Sequence, residues 1–149
     1  MGQFRRQTLI AVAACLGCAA ARAQPAAGPM VELMLGDGFG SFTLVNRGPA
    51  VQLRSAIKVE RQVDAGWQDA RVTNFYLIEQ CTRAPVPACI TLAAGATLRP
   101  MPWLGNFCYA QCPVNCELDG PLPAGSYRFV VMTCDGTRQF ASPPFQKKQ

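Results

Sequence analysis

From residue 30 onward, short runs of apolar and polar residues alternate and are broken by turn-forming residues. Val31, Leu33 and Leu35 alternate with Glu32 and Met34 until Gly36-Asp37-Gly38-Phe39-Gly40 interrupts the run. Phe42-Thr43-Leu44-Val45 follows and stops at Asn46-Arg47-Gly48-Pro49, a strong turn signal. Val51, Leu53, Ile57, Val59 and Val63 fall on odd positions, and Gln52, Arg54, Lys58, Glu60 and Gln62 on even ones. A period of two puts the first set in a core and the second in water, on one strand or a pair of strands.

The remainder continues in the same way. Asp64-Ala65-Gly66 predicts a turn into Trp67; Val72 to Ile78 and Ile90 to Leu92 are β-rich; Ala94-Gly95 is a turn; Thr97 to Pro102 predicts an edge strand limited by its prolines. Pro121 to Gly125 sets up a turn before Tyr127-Arg128-Phe129-Val130-Val131-Met132, and Phe140 to Phe145 closes the pattern. No long amphipathic helix and no internal repeat is evident. Seven to nine short strands predict an all-β fold, an antiparallel sandwich spanning residues 30–145 with a solvated tail at 146–149.

The first 29 residues differ in kind. Arg5 and Arg6 precede an uncharged apolar stretch from Thr8 to Ala21, and Ala21-Arg22-Ala23 offers a small-x-small cleavage site before Gln24. This predicts a signal peptide over residues 1–23, a short flexible segment at 24–29 and an exported protein, periplasmic or extracellular. The stretch is shorter than the roughly 20 apolar residues needed to span a bilayer. Val12-Ala13-Ala14-Cys15 also resembles a lipobox, so a lipid anchor at Cys15 is the alternative processing route.

The leader changes the charge picture. The chain has 14 Lys and Arg against nine Asp and Glu; three of the cations and none of the acids lie in the leader, leaving eleven against nine, a net +2. The remaining cations are interspersed with acids except at Lys147-Lys148, so no nucleic-acid footprint is expected. The complete absence of His removes the familiar triads, the zinc-protease helix and the His proton shuttle. Neither Glu60, Asp64 nor Asp69 is singled out as a member of a carboxylate pair. The expectation is a non-enzyme without a cofactor.

Six cysteines remain after the leader: Cys81, Cys89, Cys108, Cys112, Cys116 and Cys134. An even number in an exported chain predicts structural disulfides, each worth about 2 to 4 kcal/mol through the unfolded state. Sequence leaves all 15 pairings open. Spacing favours Cys81 with Cys89 and Cys108 with Cys116, leaving Cys112 for Cys134. The rival is a soft-metal thiolate site on C-x3-C-x3-C, disfavoured because the spacing is not that of zinc ribbons.

Leu122-Pro123-Ala124-Gly125-Ser126-Tyr127-Arg128-Phe129-Val130 resembles the penultimate hairpin of bacterial immunoglobulin-like domains, with Tyr127 at the position of the tyrosine corner. Phe129 occupies the place of the sandwich Cys, which puts the usual intersheet disulfide in doubt. Phe42-Thr43-Leu44-Val45-Asn46, Gly66-Trp67, Thr91-Leu92-Ala93-Ala94-Gly95, Trp103 and Gly125-Ser126-Tyr127 together resemble the bacterial intracellular proteinase inhibitor domain, over most of residues 30–134. The cysteine cluster and leader depart from that family. The resemblance implies an immunoglobulin-like sandwich.

Two segments invite functional readings. The run GDGFG at 36–40 lacks the spacing and the following helix of a phosphate cradle, and reads as a hairpin turn with Asp37 at positive φ. Trp103, Phe107 and Tyr109 lie in WLGNFCYAQCPVNC, either as binding anchors on a disulfide-held loop or as aromatics capping the end of the sandwich, the second being favoured. The functional expectation is an exported, non-catalytic binding module for a protein or envelope component. The alternative is a secreted protease inhibitor acting through an exposed loop.

Overall fold

A computed structural model describes residues 30–109, 112, 116 and 120–149. The leader, Cys15, the cleavage site and the 24–29 segment lie outside the described residues. Among the described residues there are ten strands: β1 (Val31–Leu35), β2 (Phe42–Asn46), β3 (Val51–Arg54), β4 (Lys58–Val63), β5 (Gly66–Asp69), β6 (Cys89–Leu92), β7 (Thr97–Leu98), β8 (Gly125–Met132), β9 (Gln139–Ala141) and β10 (Phe145–Lys147). No helix occurs among the described residues, and every strand pairing is antiparallel.

The strands form three sheets, in the orders β1-β2-β7, β10-β8-β4-β5 with β9 also on β8, and β3-β6. Their inward faces meet in one core containing Val31, Leu33, Phe42, Leu44, Leu53, Val59, Tyr127, Phe129 and Val131. The odd-position set at 51–59 is inside as the alternation requires, and the run divides into β3 and β4 at Ser55-Ala56-Ile57. Phe42 stacks on Phe129 at 4.5 Å between ring centroids, joining β2 to β8 across the core.

Several local expectations are corrected. The segment 72–78 is not a strand: Arg71 and Asn74 adopt positive φ, which breaks a ladder, while Phe75 and Leu77 still turn inward. The strand expected at 97–102 is only Thr97–Leu98, and residues 146 and 147 belong to β10 rather than to a free tail. Glu60, placed in water by the alternation, is buried because Arg128 on the neighbouring strand clamps it at 2.7 Å and Lys58 lies 3.8 Å away. Arg128 in turn covers the Trp67 ring at 4.5 Å, so the outer sheet face carries its own small stack.

All six cysteines among the described residues are in disulfides: Cys81–Cys112, Cys89–Cys134 and Cys108–Cys116. The third pair is the one spacing favours; the other two are exchanged relative to it. Cys89 opens β6 opposite Arg54 on β3, and the Cys134 amide bonds the Gln52 carbonyl on that same strand, so β3 brings Cys89 and Cys134 together. With Cys108 closed on Cys116, Cys81 is left for Cys112. Three disulfides point to an oxidising, extracytoplasmic environment. No helix among the described residues is long and apolar enough to cross a membrane.

Candidate functional site

The aromatic segment proves to be mostly interior. Trp103 is 1% exposed and Tyr109 3%, and Phe107 is half-buried. The Trp103 ring meets Tyr127 at 5.4 Å and Phe129 edge-on at 6.2 Å, while its indole N–H donates to the Asn106 carbonyl at 3.0 Å. Tyr109 packs on Phe75 at 5.5 Å, and its burial raises the phenol pKa above the ordinary value. Trp103 and Tyr109 therefore fill the end of the core and cannot act as surface anchors. Their backbone is fixed as well: the amides of Thr73 and Tyr109 bond the carbonyls of Phe107 and Thr73.

Tyr127 is fully buried, and its hydroxyl donates to the Pro123 carbonyl at 2.6 Å, four residues upstream at the turn into β8. Desolvation raises its pKa, and the Arg61 guanidinium opposes that rise. Arg61 itself bonds the Ala124 carbonyl at 3.2 Å through one terminal nitrogen, while its Nε is buried with no hydrogen-bond partner among the described residues.

Where Trp103 turns in, its neighbour Leu104 turns out. Leu104 is 48% exposed and Phe39 46%, two of the three large apolar side chains most open to solvent. Both line one concavity of about 520 Å³ between the 36–41 loop and β10, whose floor includes Phe145 and whose rim carries Asp37, Lys147 and Lys148. Two such side chains converging on one hollow are more informative than scattered exposed apolars.

The GDGFG run builds one wall. Gly36 donates to the Ser41 carbonyl and Ser41 back to Gly38, closing a tight loop that lifts Phe39. Positive φ falls on Gly40, not on Asp37 as expected. The Phe39 ring rests on Trp103 at 5.8 Å and Phe145 at 6.0 Å, so its inner edge is packed and its outer face is open. The opposite wall is β10, where Phe145 and Lys147 are half-buried on one side of the strand and the exposed Gln146 also borders the hollow.

A second exposed feature lies between Cys81 and Cys89. Thr82, Arg83, Ala84 and Pro85 are all exposed, and the two flanking cysteines are bonded to different parts of the domain. The Thr82 hydroxyl bonds the Ala84 carbonyl at 3.1 Å, and Ser55 holds the far limb by bonds to the carbonyls of Pro87 and Ala88.

Among the described residues no group of three Cys, Asp or Glu side chains is arranged to hold a metal ion. The groove is not legible in the sequence, because Phe39 sits in a glycine run whose pattern predicts a turn and Lys147 in a segment whose pattern predicts a solvated tail. The useful signal was the Phe145-x-Lys147 alternation, which puts a ring and a cation on one face. No protein-family model, curated protein or solved structure matches this chain.

Proposed function

We propose that this is an exported, non-catalytic immunoglobulin-like module, and that its binding surface is the groove between the 36–41 loop, Leu104 and β10. The observation that carries the reading is the convergence of half-exposed Phe39 and Leu104 on a single hollow. The sandwich assignment is supported by strand order. The sequence β10-β8-β4-β5 follows the G-F-C-C′ layout and β1-β2-β7 the A-B-E layout of such domains, and the Tyr127 hydroxyl bond has the form of a tyrosine corner. Export is supported by the 1–23 leader pattern and by three disulfides.

A neutral apolar dye, N-phenyl-1-naphthylamine, tests the groove without invoking charge. The mature protein is expected to bind one equivalent. The double variant Phe39→Ser/Leu104→Ser should lose binding while keeping its near-UV circular dichroism, because both side chains are half in water already. Unchanged dye binding in that variant overturns the reading.

A second reading is favoured by the Thr82–Pro85 loop. An exposed segment fixed at both ends by disulfides presents its backbone at low ordering cost, as protease inhibition by loop insertion requires. Arg83 would then be the side chain offered to a protease whose specificity pocket is acidic.

A further inference from the structure

Resting on the groove reading, we propose that the natural ligand of this groove is an apolar chain ending in an anionic head, of fatty-acid type. The chain would lie on Phe39, Leu104 and Phe145, with its head at Lys147. The hollow of about 520 Å³ falls within the roughly 300 to 1,000 Å³ usual for small-molecule sites. Methylenes moved there from water add to affinity in proportion to the apolar area they cover, so the chain of such a ligand supplies most of its binding and the head its selectivity.

The head is assigned from the rim. Lys147 is half-buried, and its stem lies over Gly105: a Cβ at that glycine would come within 2.7 Å of the Lys147 Cε and 3.3 Å of the Phe39 ring. The glycine leaves the space through which the lysine stem crosses to the Phe39 side of the groove, and the apolar stem extends the groove wall while the ammonium stays at its mouth. Arg47, Lys58 and Arg128 each face a carboxylate, whereas neither Lys147 nor Lys148 is in an ion pair among the described residues. Asp37 is the one acid on the lining, against these two cations, so the mouth favours an anion.

An extended peptide is the competing occupant, because β10 is an edge strand. It is the poorer fit. β10 has only three residues, too short an edge for an extended strand, and lysines on an edge discourage strand addition. The lining also offers no arginine fork for bidentate recognition, and a lysine point charge suits a simple terminal anion.

The test uses sodium decanoate and decyltrimethylammonium bromide below their micellar concentrations, with an acetylated tetrapeptide ending in leucine as the third probe, each titrated calorimetrically into the mature protein. Decanoate should bind one equivalent and displace N-phenyl-1-naphthylamine, with the cationic analogue at least about tenfold weaker, since a half-desolvated charge-assisted contact is worth that much. Lys147→Met keeps an unbranched apolar side chain of similar length and removes the charge; it should abolish the preference, bringing decanoate down to the affinity of its cationic analogue. Equal binding of the two amphiphiles to the unaltered protein, or a preference that survives Lys147→Met, overturns the inference while dye binding by the unaltered protein keeps the groove. Tighter binding of the tetrapeptide than of decanoate overturns it in favour of a peptide. Absence of dye binding sinks the groove reading itself.

Discussion

Gly40 and Trp103 meet backbone to backbone. The Trp103 amide donates to the Gly40 carbonyl at 3.0 Å, and a Cβ built on Gly40 would lie 1.9 Å from the Trp103 carbonyl oxygen. This approach couples the two halves of the site. It seats the loop that carries Phe39 on the segment that turns Trp103 into the core and Leu104 out of it.

Gly40→Ala is therefore expected to be costly for two separable reasons. Its φ of +70° disfavours any L side chain by about 1 kcal/mol, and the collision is with backbone, which cannot swing aside. Gly95 has the same φ, +71°, with nothing within 4 Å of its Cβ position, and serves as the control. In urea unfolding Gly95→Ala should lose on the order of 1 kcal/mol and Gly40→Ala several, with dye binding reduced only in the second. Equal losses would mean that the Gly40 loop moves away from Trp103 at little cost.

The Tyr127 hydroxyl and ring make different contributions. Tyr127→Phe removes the bond to the Pro123 carbonyl and should cost about 1 kcal/mol. Tyr127→Ala also empties a fully buried site against Trp103 and should cost roughly 3 to 5 kcal/mol. Denaturant midpoints at constant m-value check both, and a neutral Tyr127→Ala would remove the main local support for the immunoglobulin-like assignment.

The strand framework was legible because alternation and turn residues agreed at 31–45, 51–69 and 125–132. What escaped was set by distant contacts. Residues 72–78 read as a strand because the run is β-rich, and the segment does exchange bonds with Ser55 and Ile57, but positive φ at Asn74 leaves it only isolated bridges, Tyr76 to Ala56 and Thr73 to Cys108. Glu60 follows the polar set, yet Arg128 lies opposite it in a register that only the fold specifies. Cysteine spacing succeeded for Cys108–Cys116, which closes a local loop, and failed where the partner of Cys89 is chosen by β3. The groove needs three segments far apart in the chain, so none of them announces it.

Acid should weaken the β8–β9 hairpin in a defined window. Asp135 accepts bonds from the Thr133 hydroxyl at 2.6 Å, the Thr137 amide at 3.0 Å and the Thr137 hydroxyl at 2.9 Å, which together lower its pKa from 3.8 to about 2. A depressed folded-state pKa stabilises above the unfolded value; that contribution is complete above pH 3.8 and is lost as pH falls through about 2. Asp135→Asn cannot titrate, so the wild type should lose more stability than this variant between pH 5 and pH 2. Parallel pH profiles would show that the hairpin does not depend on this carboxylate.

The loop between Cys81 and Cys89 is decided by specificity rather than by binding alone. If Arg83 enters an acidic specificity pocket, the protein should inhibit a trypsin-type protease and leave a chymotrypsin-type protease active, since only the first offers a carboxylate to a buried guanidinium. Arg83→Ala should weaken inhibition by at least about tenfold without changing stability, because Arg83 is exposed and its neighbours hold the loop without it. Reduction of Cys81–Cys112 and Cys89–Cys134 should turn the same loop into a substrate, cut after Arg83, once its ends are free to follow the protease subsites. Rapid cleavage after Arg83 in the oxidised protein, with no lasting inhibition, would leave this segment an ordinary surface loop and the groove at β10 as the working face.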